Sequence, residues 1–144
     1  MMFASDCKYI KIDRQSVFNK YGGRCAYTGQ PLPNDWQIDH VIPKSSRIWK
    51  FNKNARIISG IPYDFPDDIE NLNPCLGIVN HYKNNMSIEN FRMYMKYLHI
   101  RLLAYHKDSK IYKEMVNVAE AFGITPDKPF SGKFYFENEC ILND

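Results

Sequence analysis

One short stretch, residues 36–43, places the strongest constraint on what this chain can fold into. It reads Trp-Gln-Ile-Asp-His-Val-Ile-Pro, in which aromatic and β-branched residues favour a strand and the proline ends it. Neighbouring residues of a strand point to opposite faces, so Asp39 and His40 give each face an ionisable group. That pair suits an edge strand that ends in a solvated turn, or a strand that carries chemistry.

Length and composition favour one compact domain over residues 1–144. The chain is 44% hydrophobic, which is enough for a buried core, and its net charge of +3 permits nucleic-acid binding without arguing for it. The four cysteines are scattered, so we expect free thiols in a reducing, cytoplasmic location. No stretch approaches the roughly 20 apolar residues of a membrane span, and the first residues lack a signal-peptide pattern, so no membrane partner is expected.

The chain on either side of residues 36–43 predicts alternating strands and helices. Residues 8–13 alternate polar and apolar side chains, and Asp13 is placed to cap a helix over residues 14–21. Residues 24–28 predict a strand that pairs back on the next one as a β-hairpin. The pair Asn73-Pro74 is typical of a helix start, and predicts a helix over residues 74–83.

The C-terminal part predicts two antiparallel helices. Ser87 caps the first, whose apolar stripe runs to about His106, and a second stripe runs from Ile111 to Phe122. Residues 133–137 predict a short final strand. The fold class expected from these elements is α+β.

Three residues in these predicted elements, Asp39, His40 and Asn80, support one kind of chemistry. Asp39 lies on a strand and Asn80 on a helix, and carboxylate and amide oxygens are hard ligands that suit Mg²⁺. A neutral imidazole at His40, beside such an ion, is able to take a proton from water near neutral pH. Each residue alone has an ordinary explanation, such as a helix-surface asparagine.

The ordered motifs resemble those of the HNH endonucleases, a family with the ββα-metal (His-Me finger) fold. The matching text covers about residues 20–84 and comprises Gly22-Gly23-Arg24-Cys25-Ala26-Tyr27, Ile38-Asp39-His40-Val41-Ile42-Pro43, Asp68-Ile69-Glu70-Asn71-Leu72-Asn73-Pro74 and Asn80-His81-Tyr82-Lys83. The extension over residues 87–144 is similar to that of small phage-type members. The resemblance implies a ββα-metal core with an N-terminal helix, a C-terminal helical pair and a short last strand.

The resemblance also implies a role for each matching residue. Asp39 and Asn80 would bind one divalent ion, Mg²⁺, for which Mn²⁺ or other divalent ions may substitute. His40 would be the general base that activates water, and Asn71 would hold the loop that sets the geometry of His40. The implied activity is divalent-metal-dependent hydrolysis of DNA, which leaves 5′-phosphate and 3′-hydroxyl ends.

Several basic residues are expected to contact the DNA. Lys83 shares a helix face with Asn80, and the resemblance implies that it contacts a phosphate. His81 is expected to lie at the surface or to contact a phosphate. The basic loop after the Asp-His pair adds three more candidates, Lys44, Arg47 and Lys50. A solvated surface loop would account for the same charges.

One feature departs from the family pattern. Many members hold the motif together with a structural zinc bound by two Cys-x-x-Cys pairs. Here Thr28, Leu76 and Val79 occupy three of those four positions, and only Cys25 is in place. A tetrahedral zinc site needs four suitable ligands, so we expect no structural zinc and apolar packing in its place.

Two other functions stay open. A non-catalytic DNA-binding module on the same fold is expected to have lost Asp39, His40 or Asn80, all of which are present. A protein-interaction module that uses the helical pair of residues 87–122 is expected to expose a large apolar patch. The DNA target, the choice between nicking and double-strand cleavage, and the oligomeric state are not determined by these patterns.

Overall fold

The computed structural model describes residues 11–46, 57–58, 61–62 and 66–138, and the elements below lie in these ranges. The helices and strands are, in chain order, α1 Arg14–Asn19, β1 Gln37–His40, β2 Ile57–Ile58, β3 Ile61–Pro62, β4 Leu72–Cys75, α2 Gly77–Lys83, α3 Ile88–Lys96, α4 Leu98–Ala104 and α5 Lys110–Phe122. Short 3₁₀ helices cover Ile69–Asn71 and Tyr135–Glu137. Helices together with small antiparallel sheets confirm the expected α+β class.

The sheet that carries the Asp-His pair consists of β1 and β4. The strands are antiparallel, with Gln37 opposite Cys75 and His40 opposite Leu72. Helix α2 begins two residues after β4 and packs on β1. The order around the pair is therefore strand, long loop, strand and helix. A second sheet pairs β2 with β3.

The predicted hairpin between residues 24–28 and 36–42 is wrong. Arg24 forms only an isolated bridge with Pro31, and the residues after it turn. The amide of Gly29, whose φ is +76°, donates to the Cys25 carbonyl at 2.9 Å, so the chain reverses before a strand can form. Asp39 and His40 consequently lie on the first strand of the pair, and β4 supplies the second.

The predicted helix start at Asn73-Pro74 is also wrong, because both residues belong to β4 and α2 begins at Gly77. The Pro74 carbonyl accepts from the Ala26 amide at 2.8 Å, on the side of β4 away from β1. The proline nitrogen faces the same way, so the ladder to β1 loses no hydrogen bond. Proline also favours an extended residue before it, which suits a strand as well as a helix start.

The predicted final strand over residues 133–137 is a turn of 3₁₀ helix at Tyr135–Glu137. The Glu137 carboxylate accepts from the Phe134 amide at 2.9 Å and closes that turn. The amides of Tyr135 and Phe136 still donate to the carbonyls of Tyr27 and Ala26, at 3.1 and 2.8 Å. The segment therefore forms backbone hydrogen bonds with residues 26 and 27, as a strand would, although it is a 3₁₀ helix.

The predicted N-terminal helix is confirmed but is two residues shorter. Asp13 caps it, because its side chain accepts from the amides of Gln15 and Ser16. Residues 11–13 form no strand, and residues 8–10 of that prediction lie outside the described residues.

The first C-terminal helix is divided in two. The backbone of Tyr97, with φ −105° and ψ 6°, separates α3 from α4, which ends at Ala104. Helix α5 packs on α4 and ends at Gly123, whose φ of 75° is the left-handed geometry of a helix C-terminus. The predicted pair thus corresponds to α4 and α5, with α3 preceding it.

The main apolar core lies where α2–α5 meet the turn at residues 25–27. The two predicted stripes supply seven of its fifteen buried members, although Tyr105 and Ile111 are exposed. Its buried members are Cys25, Ala26, Tyr27, Cys75, Val79, Tyr82, Phe91, Met95, Leu98, Leu102, Met115, Val118, Ala119, Ile124 and Phe134. None of the helices in the described ranges is long and apolar enough to cross a membrane.

Candidate active site

The loop that follows β1 is held by the buried side chain of Asn71. Its carbonyl oxygen accepts from the Ile42 amide at 2.8 Å. Its amide donates to the carbonyls of Ile42, at 3.0 Å, and Pro66, at 2.8 Å. Asn71 therefore joins the chain just after His40 to Pro66, at the far end of the loop.

His40 lies at the end of β1 with 19% of its side chain exposed. Its Nε2 atom is 2.8 Å from Oδ1 of Asp67, and the Lys44 ammonium is 3.5 Å from the same oxygen. Asp67 follows Pro66, so Asn71 fixes the backbone on both sides of this contact. A carboxylate at one ring nitrogen orients an imidazole and favours a proton on that nitrogen.

Asp39 is buried beside a cation of the protein itself. Its side chain is 3% exposed and that of Lys83 is not exposed at all. Oδ1 accepts from the Lys83 ammonium at 3.1 Å, and Oδ2 accepts from the hydroxyl of Tyr27. Burial raises the pKa of Asp39 above its ordinary value, against the lowering effect of Lys83 and Tyr27.

A second polar contact lies beside the first, between Asn80 and Gln37. The Asn80 amide donates to the side-chain oxygen of Gln37 at 2.9 Å. Gln37 and Asp39 are two residues apart, so they share the face of β1 that α2 covers. We call these four residues the β1–α2 seam, in which Asn80 meets Gln37 and Lys83 meets Asp39.

The donor chemistry of the seam fits a hard divalent ion. The carboxylate of Asp39 and the side-chain oxygen of Asn80 come from facing elements, and Mg²⁺ takes the rest of its shell from water and phosphate. Both residues have protein partners in this arrangement, and the Lys83 ammonium is the positive charge nearest Asp39. Within the described ranges, no group of three or more His, Cys, Asp and Glu residues could hold a metal.

The residues that are expected to contact DNA differ in how exposed their side chains are. Lys44 is 60% exposed beside Asp67, and His81 is 80% exposed and 3.5 Å from Glu114. Lys83 is fully buried and presents no surface to a phosphate in this arrangement. Arg47 and Lys50 lie outside the described residues.

Apolar packing surrounds Cys25, Leu76 and Val79, three of the four positions that the motif resemblance aligns with zinc ligands. Cys25, Cys75 and Val79 are fully buried in the main core, and Leu76 packs against it. Burial raises the pKa of the Cys75 thiol, so the thiolate is disfavoured. Ile78, in contrast, is 42% exposed.

Three residues of the site were not predicted from the sequence: Tyr27, Gln37 and Asp67. Gln37 could have been predicted, because its spacing of two from Asp39 places it on the same strand face. Asp67 is one of several acidic residues in the loop before β4, and no local pattern distinguishes it. Tyr27 was assigned to a strand that does not exist.

Comparison of the chain with protein-family models, with curated proteins and with solved structures found no match.

Proposed function

We propose that this protein is a divalent-metal-dependent DNA endonuclease with a ββα-metal core. It hydrolyses phosphodiester bonds, with His40 as the general base, and leaves 5′-phosphate and 3′-hydroxyl ends. The observation that carries the proposal is the set of three hydrogen bonds by which Asn71 holds Ile42 and Pro66 together. They fix His40 and Asp67 at the end of β1, as a catalytic histidine requires.

The proton transfer follows from the ring contacts of His40. Asp67 accepts at Nε2 and favours a hydrogen there, which leaves Nδ1 to accept a proton from the attacking water. Asp67 also stabilises the imidazolium that this transfer produces. A positioned base of this kind contributes about 10²–10⁴ in rate.

Asp39 and Asn80 are the residues that would hold the ion, as the motif resemblance implies. A bound divalent ion would stabilise the negative charge that develops on the phosphate during hydrolysis. The chain itself contributes the face of β1 and the packing of α2, which bring the two donors to one seam. We expect the reaction in the cytoplasm, on DNA drawn to Lys44 and its neighbours.

Two alternative functions are less well supported. A non-catalytic DNA-binding module gives no reason for a buried asparagine to hold the segments of His40 and Asp67. A protein-interaction module is favoured by exposed apolar side chains on α3–α5, among them Met93, Ile100, Leu103 and Ile111. Single exposed apolar residues are common on protein surfaces, and the described residues identify no partner for these.

Incubation of the purified protein with supercoiled plasmid, in Mg²⁺, Mn²⁺ or EDTA, tests the proposal. We expect nicked or linear DNA only with a divalent ion, and a rate about 10²–10⁴ lower for His40→Ala. The matched control is His106→Ala, because that side chain is 79% exposed on the loop between α4 and α5, where it contacts Asp108. Undiminished cleavage by a folded His40→Ala protein would exclude His40 as the base. DNA binding without cleavage would favour the non-catalytic module.

A further inference from the structure

We propose that Lys83 and the divalent ion compete for the carboxylate of Asp39. In the absence of the ion the Lys83 ammonium neutralises Asp39, and ion binding requires that ammonium to leave. The inference rests on the proposed function in one respect only, the assignment of Asp39 as an ion ligand.

The first support is that protein groups occupy the carboxylate of Asp39. Both oxygens of Asp39 accept hydrogen bonds, one from Lys83 at 3.1 Å and one from Tyr27. The amide of Asn80 is used by Gln37. Among the described residues, the buried side-chain polar atoms that lack a partner are His99 Nδ1 and Arg101 Nε, and neither belongs to the seam.

The second support is the burial of the ion pair. The Lys83 side chain has no exposed surface, and Asp39 is 3% exposed, so little water screens the charges. An ion bound to Asp39 would lie next to the ammonium, where two like charges repel strongly. The Asp39 carboxylate therefore binds either the Lys83 ammonium or the divalent ion, and not both at once.

The third support is the other contact of Lys83. Its ammonium also donates to the backbone carbonyl of His40 at 3.3 Å. Lys83 thus holds both residues of the Asp-His pair while no ion is bound. An ion that displaces it would reach Asp39 at the cost of these two contacts, and the apparent affinity for the ion is lowered accordingly.

Binding of Mn²⁺ to the full chain without DNA, followed by electron paramagnetic resonance of free Mn²⁺, tests the competition directly. We expect Lys83→Gln to bind Mn²⁺ more tightly than the wild type, on the order of tenfold or more, because one like charge next to the carboxylate is removed. Glutamine retains a hydrogen-bond donor for Asp39, so this variant remains informative if Lys83→Met fails to fold. The matched control is Lys44→Gln, which removes an exposed lysine that contacts Asp67 instead of Asp39.

The double variant Lys83→Gln with Asp39→Asn tests whether the gain in Mn²⁺ affinity arises at Asp39. The gain in affinity should disappear in this variant, because the ligand has lost its charge. Equal affinity of the wild type and Lys83→Gln for Mn²⁺, a gain that survives Asp39→Asn, or no Mn²⁺ binding by any variant would overturn the competition. Failure of the proposed function is a separate result, since it appears as uncut plasmid with wild-type protein at saturating Mn²⁺.

Discussion

At the residue scale, Tyr27 joins the aromatic core to the buried charge of the site. Its ring meets those of Phe91, Phe134 and Phe136 edge to face, at centroid distances of 5.8, 5.2 and 5.7 Å. Its hydroxyl donates to Asp39. Burial raises the pKa of Tyr27 well above its ordinary value, and the neighbouring Asp39 carboxylate adds to this effect.

We predict that Tyr27→Phe lowers the free energy of unfolding by about 1.5–3 kcal/mol, because the ring packing remains while a charged, buried acceptor loses a donor. Chemical denaturation near pH 7 measures the loss. Tyr105→Phe is the matched control, since that side chain is 43% exposed. A change equal to that of the control would mean that the hydroxyl of Tyr27 does not support Asp39.

Comparison of the wild type with Tyr27→Phe also gives the sign of a pH dependence of stability. The fold raises the pKa of Tyr27 above the value of about 10 that it has in the unfolded chain, so the fold favours the neutral phenol. The stability due to this effect is complete below pH 10 and is lost as the pH rises further. Wild-type protein should therefore lose more stability than Tyr27→Phe above pH 10. Tyr82, whose pKa is also raised, remains in both proteins.

At the element scale, locally encoded features were predictable and tertiary pairing was not. The Asp13 and Ser87 caps were predicted because each acts on its own helix. Strand β4 was missed because Asn73-Pro74 suits a helix start and an extended strand equally. Its assignment depends on pairing with β1, a contact between residues more than thirty positions apart.

In the candidate site, too, some residues were predictable from the sequence and their contacts were not. The motif resemblance indicated Asp39, His40, Asn71 and Asn80 as site residues, because the matching motifs can be read from the sequence. Their partners depend on how the elements pack. The contact of His40 with Asp67 requires the loop to return, and the burial of Lys83 requires α2 to lie on β1.

The turn at Gly29 gives a prediction about an element. A Cβ atom there would lie 2.6 Å from the Tyr135 ring, and the φ of +76° already disfavours a side chain. Gly22, with φ +64° and no atom within 4 Å of such a Cβ, has the backbone conformation without the clash. We predict that Gly22→Ala costs about 1 kcal/mol and that Gly29→Ala costs about 1–3 kcal/mol more.

Denaturation curves of the two glycine variants measure this difference. The excess for Gly29→Ala reports the packing of the 3₁₀ helix at residues 135–137 on the turn that carries Tyr27. Equal losses in the two variants would show that Tyr135 moves aside freely, and that this packing contributes little to the fold.

At the scale of the whole molecule, the main core joins the turn at residues 25–27 to β4 and α2. Cys25 begins the turn, Cys75 ends β4 and Val79 lies on α2, and all three are fully buried in one cluster. That cluster continues into α3, α4 and α5. A chain of 144 residues buries enough apolar surface to be stable without a metal cross-link.

We therefore predict that the purified protein contains no stoichiometric zinc, and that prolonged EDTA leaves its thermal unfolding temperature unchanged. A structural zinc contributes about 10–16 kcal/mol of binding energy to small domains, so its removal would be obvious in a melting curve. Metal analysis by mass spectrometry and melting with and without chelator measure the two quantities. Activity should be lost in EDTA and return with Mg²⁺, because the ion that we propose at Asp39 would act in hydrolysis and would not hold the core together. The Cys25 and Cys75 thiols, both fully buried, should react with a thiol reagent only after unfolding. About one zinc per chain, with a sharply lower melting temperature in chelator, would contradict the prediction and would mean that cysteines and other ligands from outside the described residues complete a site.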